Sequence, residues 1–201
     1  MPKVSIIDYR IGNIFSMRNA LQRAGLTVEV NSEPTKILDS DAIVLPGVGN
    51  FGAAAKNLEP MKATLLDCAV QGKPFLGSCL GMQLLFDDSE EAVGGGLSLI
   101  RGSVKRFPEG LKVPHIGWNN IVIKKPCELL DGLDEDSYFY FVHSYYPDPE
   151  DGSVVVGETD YGVTFASVVA ADSLVATQFH PEKSGEVGLR FYENFLTRFH
   201  P

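Results

Sequence analysis

Short apolar runs alternate with segments of helical periodicity in the first half of the chain. The apolar runs read KVSIID, TVEVN, DAIVLP and PFLGS. Helical patterns cover residues 13–24, a region that ends near residue 71, and the residues after PFLGS. Alternation of this kind is typical of a sheet of parallel strands whose faces are covered by helices. We therefore expect an α/β fold with a central, mostly parallel sheet flanked by helices.

The second half of the chain predicts additional, mostly antiparallel strands. From residue 94 onward, short β-like runs are broken by Gly, Pro and Asp. These runs are LSLI, VKRF, NNIVI, YFYFV, SVVVG, FASVV and LVATQF. A closing amphipathic helix is predicted with Ser184 as its N-cap. Its apolar stripe consists of Phe191, Tyr192, Phe195, Leu196 and Phe199.

Length, charge and composition exclude several classes of protein. With 201 residues and 44% hydrophobic content, residues 1–201 are expected to form a single domain. The formal net charge is −9 without a Lys/Arg cluster, so neither nucleic acid nor a membrane surface is an expected partner. No segment has the roughly 18 uncharged apolar residues of a membrane span. The N-terminus lacks a signal-peptide pattern, so we expect a cytoplasmic protein.

The cysteines and histidines indicate neither a disulfide framework nor a metal site. The three cysteines lack CxxC spacing, and the four histidines lack metal-ligand spacing. Cys68 lies on an apolar helical face and is expected in the core, with Pro60 kinking or restarting that helix. Cys127 follows a loop-like Lys-Lys-Pro segment and is expected to be an incidental thiol.

Cys79 differs from the other cysteines because it sits in a Gly-x-Cys-x-Gly turn between an apolar strand and an apolar helix. This is the cysteine form of a nucleophile elbow, in which Gly77 and Gly81 lack the side chains that would clash in a strained turn. The thiol would lie at a helix N-terminus, which favours the thiolate. The N–H of Leu80 would then point at a developing oxyanion. Taken alone, the motif also fits a buried core cysteine.

A candidate base for Cys79 lies in the segment LVATQFHPEKS, where His180 and Glu182 flank Pro181. Proline keeps His180 out of the helical region, and residues two apart in an extended chain project to the same side. Glu182 is therefore expected to orient His180. A lone histidine is usually a structural residue, but the two motifs together fit a Cys-His-Glu triad.

A glycine-rich turn at residues 47–52 (GVGNFG) matches the GxGxxG pattern of dinucleotide-binding turns. That function requires an acidic residue at the end of the next strand, and the next strand ends at Cys79 without one. No cofactor is therefore predicted. A turn beside the elbow strand can instead supply backbone donors, so Gly47 and Val48 are expected to complete an oxyanion hole with Leu80.

The elbow and the His-Pro-Glu segment resemble those of the triad (class I) glutamine amidotransferases, which carry G-x-C-L-G-x-Q and H-P-E motifs. Here they read GSCLGMQ at residues 77–83 and HPE at residues 180–182. Within that family, Met82 and the segments LPGVG, PHIGWN, YFVHSY and QFHPEKS are most similar to the glutaminase subunits of imidazole glycerol phosphate synthases. Two positions depart from the family pattern: Ser78 replaces a more common aliphatic residue, and Arg10 a more common glycine.

The resemblance implies a flavodoxin-like, class I amidotransferase fold and hydrolysis of the glutamine side-chain amide to glutamate and ammonia. Cys79 would attack the amide carbon, His180 would transfer the protons, and Glu182 would hold the imidazole. The resemblance also implies a set of glutamine-binding residues: Gly49, Gln83, His143, Ser144 and Tyr145. For His143, a structural role as a hydrogen-bonding residue at a strand end fits equally well.

The resemblance further implies a partner, because ammonia released into the cytosol would be protonated and lost. In this branch of the family the partner is a (β/α)8-barrel cyclase. The resulting heterodimer makes imidazole glycerol phosphate and an aminoimidazole carboxamide ribotide in histidine biosynthesis. The residues expected at the interface or the ammonia exit are Asn13, Trp118, Asn119, Tyr140 and Lys183. Trp118 is explained equally well as a half-buried strand aromatic.

Two other functions are compatible with parts of the sequence. The first is a different Cys-elbow hydrolase of the α/β-hydrolase type, although the acid of such enzymes precedes the histidine and Glu182 follows it. The second is a non-catalytic relative that keeps the fold. The presence of Cys79, His180 and Glu182 together argues against this second function.

Overall fold

The predicted strands of the first half lie side by side in one parallel sheet. The structure, a computed structural model, describes residues 2–134 and 136–197. Its strands are β1 (Lys3–Ile7), β2 (Thr27–Asn31), β3 (Ala42–Leu45), β4 (Phe75–Ser78), β5 (Asp88–Ser89), β6 (Ala92–Gly95), β7 (Gly102–Arg106), β8 (His115–Asn120), β9 (Val122–Ile123), β10 (Tyr138–His143), β11 (Tyr145–Pro149), β12 (Val155–Asp160), β13 (Thr164–Ala171) and β14 (Leu174–Thr177). Its helices are α1 (Ile14–Arg23), α2 (Pro34–Leu38), α3 (Phe51–Leu58), α4 (Lys62–Val70), α5 (Leu80–Gln83) and α6 (Gly185–Thr197). Short 3-10 turns cover Glu59–Met61, Glu128–Leu130, Gly152–Val154 and Pro181–Lys183.

One mixed sheet places the elbow near its centre. Eight of the described strands pair in the order β2-β1-β3-β4-β14-β13-β12-β9. The strands from β2 to β14 are parallel, and β13, β12 and β9 extend the sheet with antiparallel pairs, so the predicted α/β fold is confirmed. Because β4 and β14 are parallel neighbours, the residues that follow them, Cys79 and His180, emerge at the same edge of the sheet.

Alternate side chains of the central strands pack into two separate apolar layers. Val44 of β3 belongs to the cluster that includes Met17 of α1 and Phe191 of α6. Its neighbour Leu45 belongs to the cluster that includes Leu65 of α4. Successive side chains of a strand point to opposite faces, so a strand that is buried on both needs helices on both sides. Helices α1 and α6 cover one face, and α2 to α5 cover the other.

Helices α1, α3 and α4 agree with the sequence predictions, whereas the short helix α2 was not predicted. Helix α1 begins after Asn13, whose side-chain oxygen accepts a hydrogen bond from the Ser16 N–H at 3.3 Å. Pro60 lies in the 3-10 turn that separates α3 from α4, and Cys68 is fully buried in α4. None of the helices in the described ranges is both long and apolar enough to span a bilayer.

The second half forms mostly antiparallel pairs, as predicted, although β14 joins the parallel unit beside β4 and β5 is parallel to β7. Strand β10 pairs with β8, and β11 pairs with β7 in a four-stranded sheet of order β11-β7-β5-β6. The prediction of a strand over residues 97–100 (LSLI) is wrong. The N–H groups of Leu97 and Leu99 donate instead to the carbonyl oxygens of Leu84 and Leu85. This loop therefore packs against the end of the elbow helix rather than along a sheet.

The closing helix α6 has the predicted apolar stripe within the described residues. Its buried or partly buried members are Phe191, Tyr192, Phe195 and Leu196, and Phe199 lies outside the described residues. Ser184 directly precedes the helix, but the described hydrogen bonds of its hydroxyl go to other segments rather than to the first N–H groups of α6. Its hydroxyl donates to the His180 carbonyl oxygen at 2.7 Å and accepts from the Tyr140 N–H at 3.0 Å. Ser184 therefore ties the start of α6 to the segment that carries the predicted base.

Candidate active site

Cys79 lies in the turn between β4 and α5 with a strained backbone. Its φ and ψ angles are 50° and −107°, a backbone region that residues other than glycine rarely adopt. A Cβ atom at Gly77 would lie 2.8 Å from the Gly81 carbonyl oxygen, and one at Gly81 would lie 2.0 Å from the Leu45 carbonyl oxygen. Close backbone approach therefore requires both glycines, and the turn has the geometry expected of a nucleophile elbow.

Glu182 is buried against His180. Nδ1 of His180 lies 2.8 Å from Oε1 of Glu182, and the two side chains are 0% and 3% exposed. Oε2 of Glu182 accepts a hydrogen bond from the Tyr192 hydroxyl at 3.4 Å. The prediction of an extended chain through Glu182 is wrong, because residues 181–183 form a 3-10 turn after an extended His180. The fixed φ of a proline suits the first position of such a turn, which folds Glu182 back onto the imidazole.

The other imidazole nitrogen of His180 is available for proton transfer. Nε2 is buried and has no hydrogen-bond partner of normal geometry among the described residues. Burial alone lowers the pKa of His180, but the negative charges of Cys79 and Glu182 outweigh burial and raise this pKa to about 10. We therefore expect His180 to be an imidazolium at neutral pH, a form that can give a proton to a leaving group.

A cavity of about 270 Å³ opens in front of Cys79. The predicted site residues that line it are Val48, Gly49, Cys79, Leu80, Gln83, His143, Ser144 and Tyr145. The structure thus brings the predicted glutamine-binding residues and the elbow to one place, from β3, α5 and the β10–β11 connection. Gly47 packs tightly behind the elbow, where a Cβ atom would lie 2.0 Å from the Ser78 carbonyl oxygen.

The glycine-rich turn after β3 is anchored opposite the elbow. The buried Tyr9 hydroxyl donates a hydrogen bond to the Pro46 carbonyl oxygen. Burial and the charge of Cys79 raise the pKa of Tyr9 far above its usual value, so this hydroxyl keeps its proton and remains a donor. Val48 and Leu80 both border the cavity beside Cys79, which makes their N–H groups the candidates for stabilising an oxyanion.

Gln83 is held at the back of the cavity by two hydrogen bonds. Its Nε2 donates to the Tyr145 carbonyl oxygen at 2.9 Å and to Oε1 of Gln178 at 3.2 Å. Gln178 is fully buried, and its Nε2 lies 3.5 Å from Sγ of Cys79. The sequence interpretation assigned no role to Gln178. The signal that could have indicated one is its place two residues before His180, within the same segment.

His115 and His143 form a buried neutral pair beside the cavity. Nδ1 of His115 lies 3.1 Å from Nε2 of His143, and Nδ1 of His143 lies 2.8 Å from the Tyr145 carbonyl oxygen. A carbonyl only accepts, so Nδ1 of His143 carries the proton and its Nε2 accepts from His115. Burial lowers the pKa of His115 to about 4 and that of His143 to about 3. His143 therefore has the hydrogen-bonding role of a strand-end residue and also lines the cavity.

The carboxylate of Glu91 occupies the place where a dinucleotide phosphate would meet the glycine-rich turn. Oε2 of Glu91 accepts a hydrogen bond at 2.6 Å from the N–H of Phe51, the first residue of α3. A negative charge at this helix N-terminus would repel a phosphate. Glu91 also lines the cavity in front of Cys79, a position that the sequence interpretation missed.

Trp118 and Tyr140, both predicted at a partner interface, lie together on the β8–β10 pair, and Lys183 of the 3-10 turn before α6 lies beside them. Trp118 and Tyr140 are opposite each other in the ladder with ring centres 6.0 Å apart, and Nζ of Lys183 lies 5.6 Å from the Tyr140 ring centre. Trp118 is 56% exposed, so it agrees with an interface residue and with a half-buried strand aromatic alike. Asn119 donates to a main-chain carbonyl at the end of β12 at 3.0 Å, and Asn13 caps α1.

The two departures from the family pattern have local explanations. The buried Ser78 hydroxyl donates to the Phe179 carbonyl oxygen at 3.2 Å, which links β4 to the segment before His180. Arg10 has a φ of 62°, in the left-handed region that glycine adopts without strain. Its N–H donates to Oδ1 of Asp8 at 2.8 Å, which stabilises this turn. Neither residue lines the cavity described above.

Comparison of the sequence with known proteins gives matches over nearly its whole length. The model of the family described as "Glutamine amidotransferase class-I" matches residues 5–199. The chain is 51% identical over 194 residues to the imidazole glycerol phosphate synthase subunit HisH of Methanothermobacter thermautotrophicus, covering 96% of this chain and 97% of the relative. The subunit of the same name from Thermococcus kodakarensis is 50% identical over 198 residues, covering 96% and 98%. That of Aquifex aeolicus is 48% identical over 194 residues, covering 94% of each chain.

Solved structures share the fold at low sequence identity. PurLQS from Thermotoga maritima superimposes with a TM-score of 0.77 at 17% identity, covering 98% of this chain and 99% of that chain. The glutaminase domain of Trypanosoma brucei CTPS with bound acivicin gives a TM-score of 0.70 at 15% identity, covering 98% and 93%. The family match and the curated relatives together show that this chain belongs to the class-I glutamine amidotransferase family.

Proposed function

We propose that the chain is the glutaminase subunit of an imidazole glycerol phosphate synthase and supplies ammonia for histidine biosynthesis. The similarity to subunits of that name supports the assignment. The observation that carries the chemistry is the strained Cys79 at the edge where the buried His180–Glu182 pair also emerges, in front of a cavity of about 270 Å³. A cavity of this size suits a small polar substrate such as glutamine.

The reaction uses Cys79 as nucleophile and His180 as proton carrier. The Cys79 thiolate attacks the side-chain amide carbon, and the carbonyl oxygen becomes an oxyanion that N–H groups of Leu80 and Val48 stabilise. The His180 imidazolium gives its proton to the amide nitrogen, the C–N bond breaks, and ammonia leaves a glutamyl thioester. The neutral imidazole then takes a proton from water, which attacks the thioester and expels the thiolate. Glu182 keeps Nδ1 of His180 oriented throughout.

The groups that line the cavity suggest how the α-ammonium group of glutamine is bound and which main-chain groups remain available to the substrate. The Glu91 carboxylate borders the cavity and offers a partner for the α-ammonium group of glutamine. The Tyr145 carbonyl oxygen already accepts hydrogen bonds from Gln83 and His143, which uses both of its lone pairs. This carbonyl therefore positions Gln83 and His143, and the substrate contacts of residues 144–145 come from their other groups.

An exposed apolar face on the β8–β10 pair is the proposed docking surface for the cyclase. Ile116, Trp118 and Tyr138 are 59%, 56% and 52% exposed and project to one side of the two strands, together with Tyr140. Exposed apolar groups of this kind mark sites of protein–protein contact. We propose a (β/α)8-barrel cyclase as the partner in a heterodimer, which receives ammonia before it is protonated. The free thiols of all three cysteines fit the reducing cytoplasm, where we place the complex.

The proposed function is tested by mixing the chain with a barrel cyclase of this pathway. We expect a stable heterodimer that makes imidazole glycerol phosphate with glutamine as nitrogen donor. Trp118→Ala should weaken the complex about tenfold or more, because a large aromatic anchor is lost from the interface. Isothermal titration calorimetry measures the affinity, and a coupled assay measures glutamate release. Absence of both a complex and glutamate release would contradict the proposal.

Val70→Ala provides a matched control for the interface. Val70 is 88% exposed at the end of α4, a helix that packs in the other apolar layer. Loss of its methyl groups should leave the affinity for the cyclase unchanged. If both variants lower the affinity for the cyclase equally, or if neither lowers it, the β8–β10 face is not the surface that binds the cyclase.

A further inference from the structure

We propose that Gln178 is a further catalytic residue, whose side-chain amide donates a hydrogen bond to the Cys79 thiolate and keeps the sulfur in its nucleophilic form. The proposal rests on the proposed function of Cys79. It assigns to Gln178 a role that is distinct from those of His180 and Glu182, because Gln178 contacts the sulfur itself and exchanges no proton with it.

The position of Gln178 is fixed by its surroundings. The residue is 0% exposed, and its backbone N–H donates to the Ser167 carbonyl oxygen at 2.9 Å. Its Nε2 lies 3.5 Å from Sγ of Cys79, within the range of an N–H to sulfur hydrogen bond. A buried amide seldom leaves its donors unsatisfied, so this contact accounts for one of the two N–H groups of Gln178.

The hydrogen-bond partners around Gln178 allow only one of the two orientations of its side-chain amide. The Tyr145 carbonyl oxygen can only accept, so the nitrogen of the Gln83 amide faces it at 2.9 Å. The second proton of that nitrogen points at Gln178, 3.2 Å away, and requires an acceptor there. Oε1 of Gln178 must therefore face Gln83, which leaves Nε2 to face the sulfur of Cys79.

The donor matters because the surroundings of the sulfur otherwise include a group that favours the protonated thiol. The Val142 carbonyl oxygen lies 3.8 Å from Sγ and can only accept a hydrogen bond. A buried thiolate has lost its water, so it depends on fixed donors and on the charge of His180. When the thioester is hydrolysed, the same sulfur leaves as a thiolate, and the Gln178 amide is already in place to stabilise it. Gln178 therefore acts in both halves of the reaction.

The test compares Gln178→Met with Gln178→Glu in the complex with the cyclase, in a Cys127→Ser background that removes the half-exposed thiol. Methionine keeps the length of the side chain without a donor. Glutamate keeps the shape of the glutamine side chain but places a second negative charge beside the thiolate. In both variants we expect alkylation of Cys79 by iodoacetamide to begin at higher pH. We also expect kcat/KM for glutamine to fall about tenfold to a hundredfold, the effect of losing a hydrogen bond to a charged group. Ammonia-dependent synthesis should stay at the wild-type level.

Asn194→Leu is the matched control, since it removes another buried side-chain amide. Nδ2 of Asn194 donates to the carbonyl oxygens of Leu129 and Asp131, among the residues around α6. This variant should lower the melting temperature and leave the pH dependence of alkylation unchanged. An unchanged alkylation profile in both Gln178 variants would overturn the proposal and leave Gln178 with a structural role. If Gln178→Met does not fold, Gln178→Leu, which also lacks a donor and adds no charge, takes its place in the comparison. Retained glutaminase activity in Cys79→Ala would instead contradict the proposed function.

Discussion

Replacement of Cys79 by alanine will abolish glutamine-dependent synthesis by the complex and leave ammonia-dependent synthesis intact. The nucleophile is essential for cleaving the amide, so the rate of glutamate formation should fall by at least about 10³-fold. Exogenous ammonia bypasses the glutaminase, and the cyclase subunit needs only a docked partner. Parallel assays with glutamine and with an ammonium salt at alkaline pH measure the two activities.

Cys127→Ala is the control for this experiment. Cys127 is a free thiol outside the cavity in front of Cys79, and it is more exposed than Cys79. Its replacement should change neither activity. Loss of both activities in Cys79→Ala would point to a structural defect. Retention of both would contradict the role of Cys79 as nucleophile.

Gly81→Ala will disrupt the elbow, although alanine is the better helix former by about 1 kcal/mol. Gly81 lies in α5, and the added Cβ atom would be 2.0 Å from the Leu45 carbonyl oxygen and 2.7 Å from its carbon. These atoms belong to the backbone of β3, so α5 and β3 must move apart. We expect a loss of about 3 kcal/mol or more in the free energy of unfolding. Displacement of the elbow by about 1 Å should also lower glutaminase activity about 10²-fold. Urea denaturation and the glutamate assay measure the two effects.

Gly152→Ala is the matched control, because a Cβ atom there meets no atom within 4 Å and the φ angle is not in the left-handed region. This substitution should change the free energy of unfolding by less than about 0.5 kcal/mol. A similarly small effect for Gly81→Ala would show that β3 and α5 tolerate separation. The close contact between Gly81 and the backbone of Leu45 would then not be required for stability or for activity.

The elbow could be predicted from sequence because its chemistry is local. Glycines on both sides of Cys79, an apolar strand before it and a short helix after it all lie within one segment. The sequence also indicated Cys79, His180 and Glu182 as a candidate set, but not the chain path that brings them together. His180 emerges at the same sheet edge as Cys79 because β14 is parallel to β4. The sequence pattern of the second half predicted mainly antiparallel strands. Glu182 folds back onto His180 through a 3-10 turn, and a turn of three residues is too short to give a periodic pattern in the sequence.

Glu91 and Gln178 could not be predicted because long-range packing gives them their positions. Glu91 lies in the turn between β5 and β6, and β5 has only two residues, too few for a periodic signal. Its carboxylate reaches the start of α3 through the contact between that helix and β6. Gln178 reads as one more polar residue at the end of an apolar run. Its role depends on the orientation of Gln83, which the Tyr145 carbonyl determines.

The most direct test of the central claim is the mass of the peptide that contains Cys79 after acid quench of the complex turning over saturating glutamine. A glutamyl thioester on the Cys79 sulfur is the acyl intermediate that the proposed reaction requires. We predict a glutamyl adduct on Cys79, absent before glutamine is added and absent in Cys79→Ala. Turnover with no adduct on Cys79, or an adduct on Cys68 or Cys127 instead, would contradict the account.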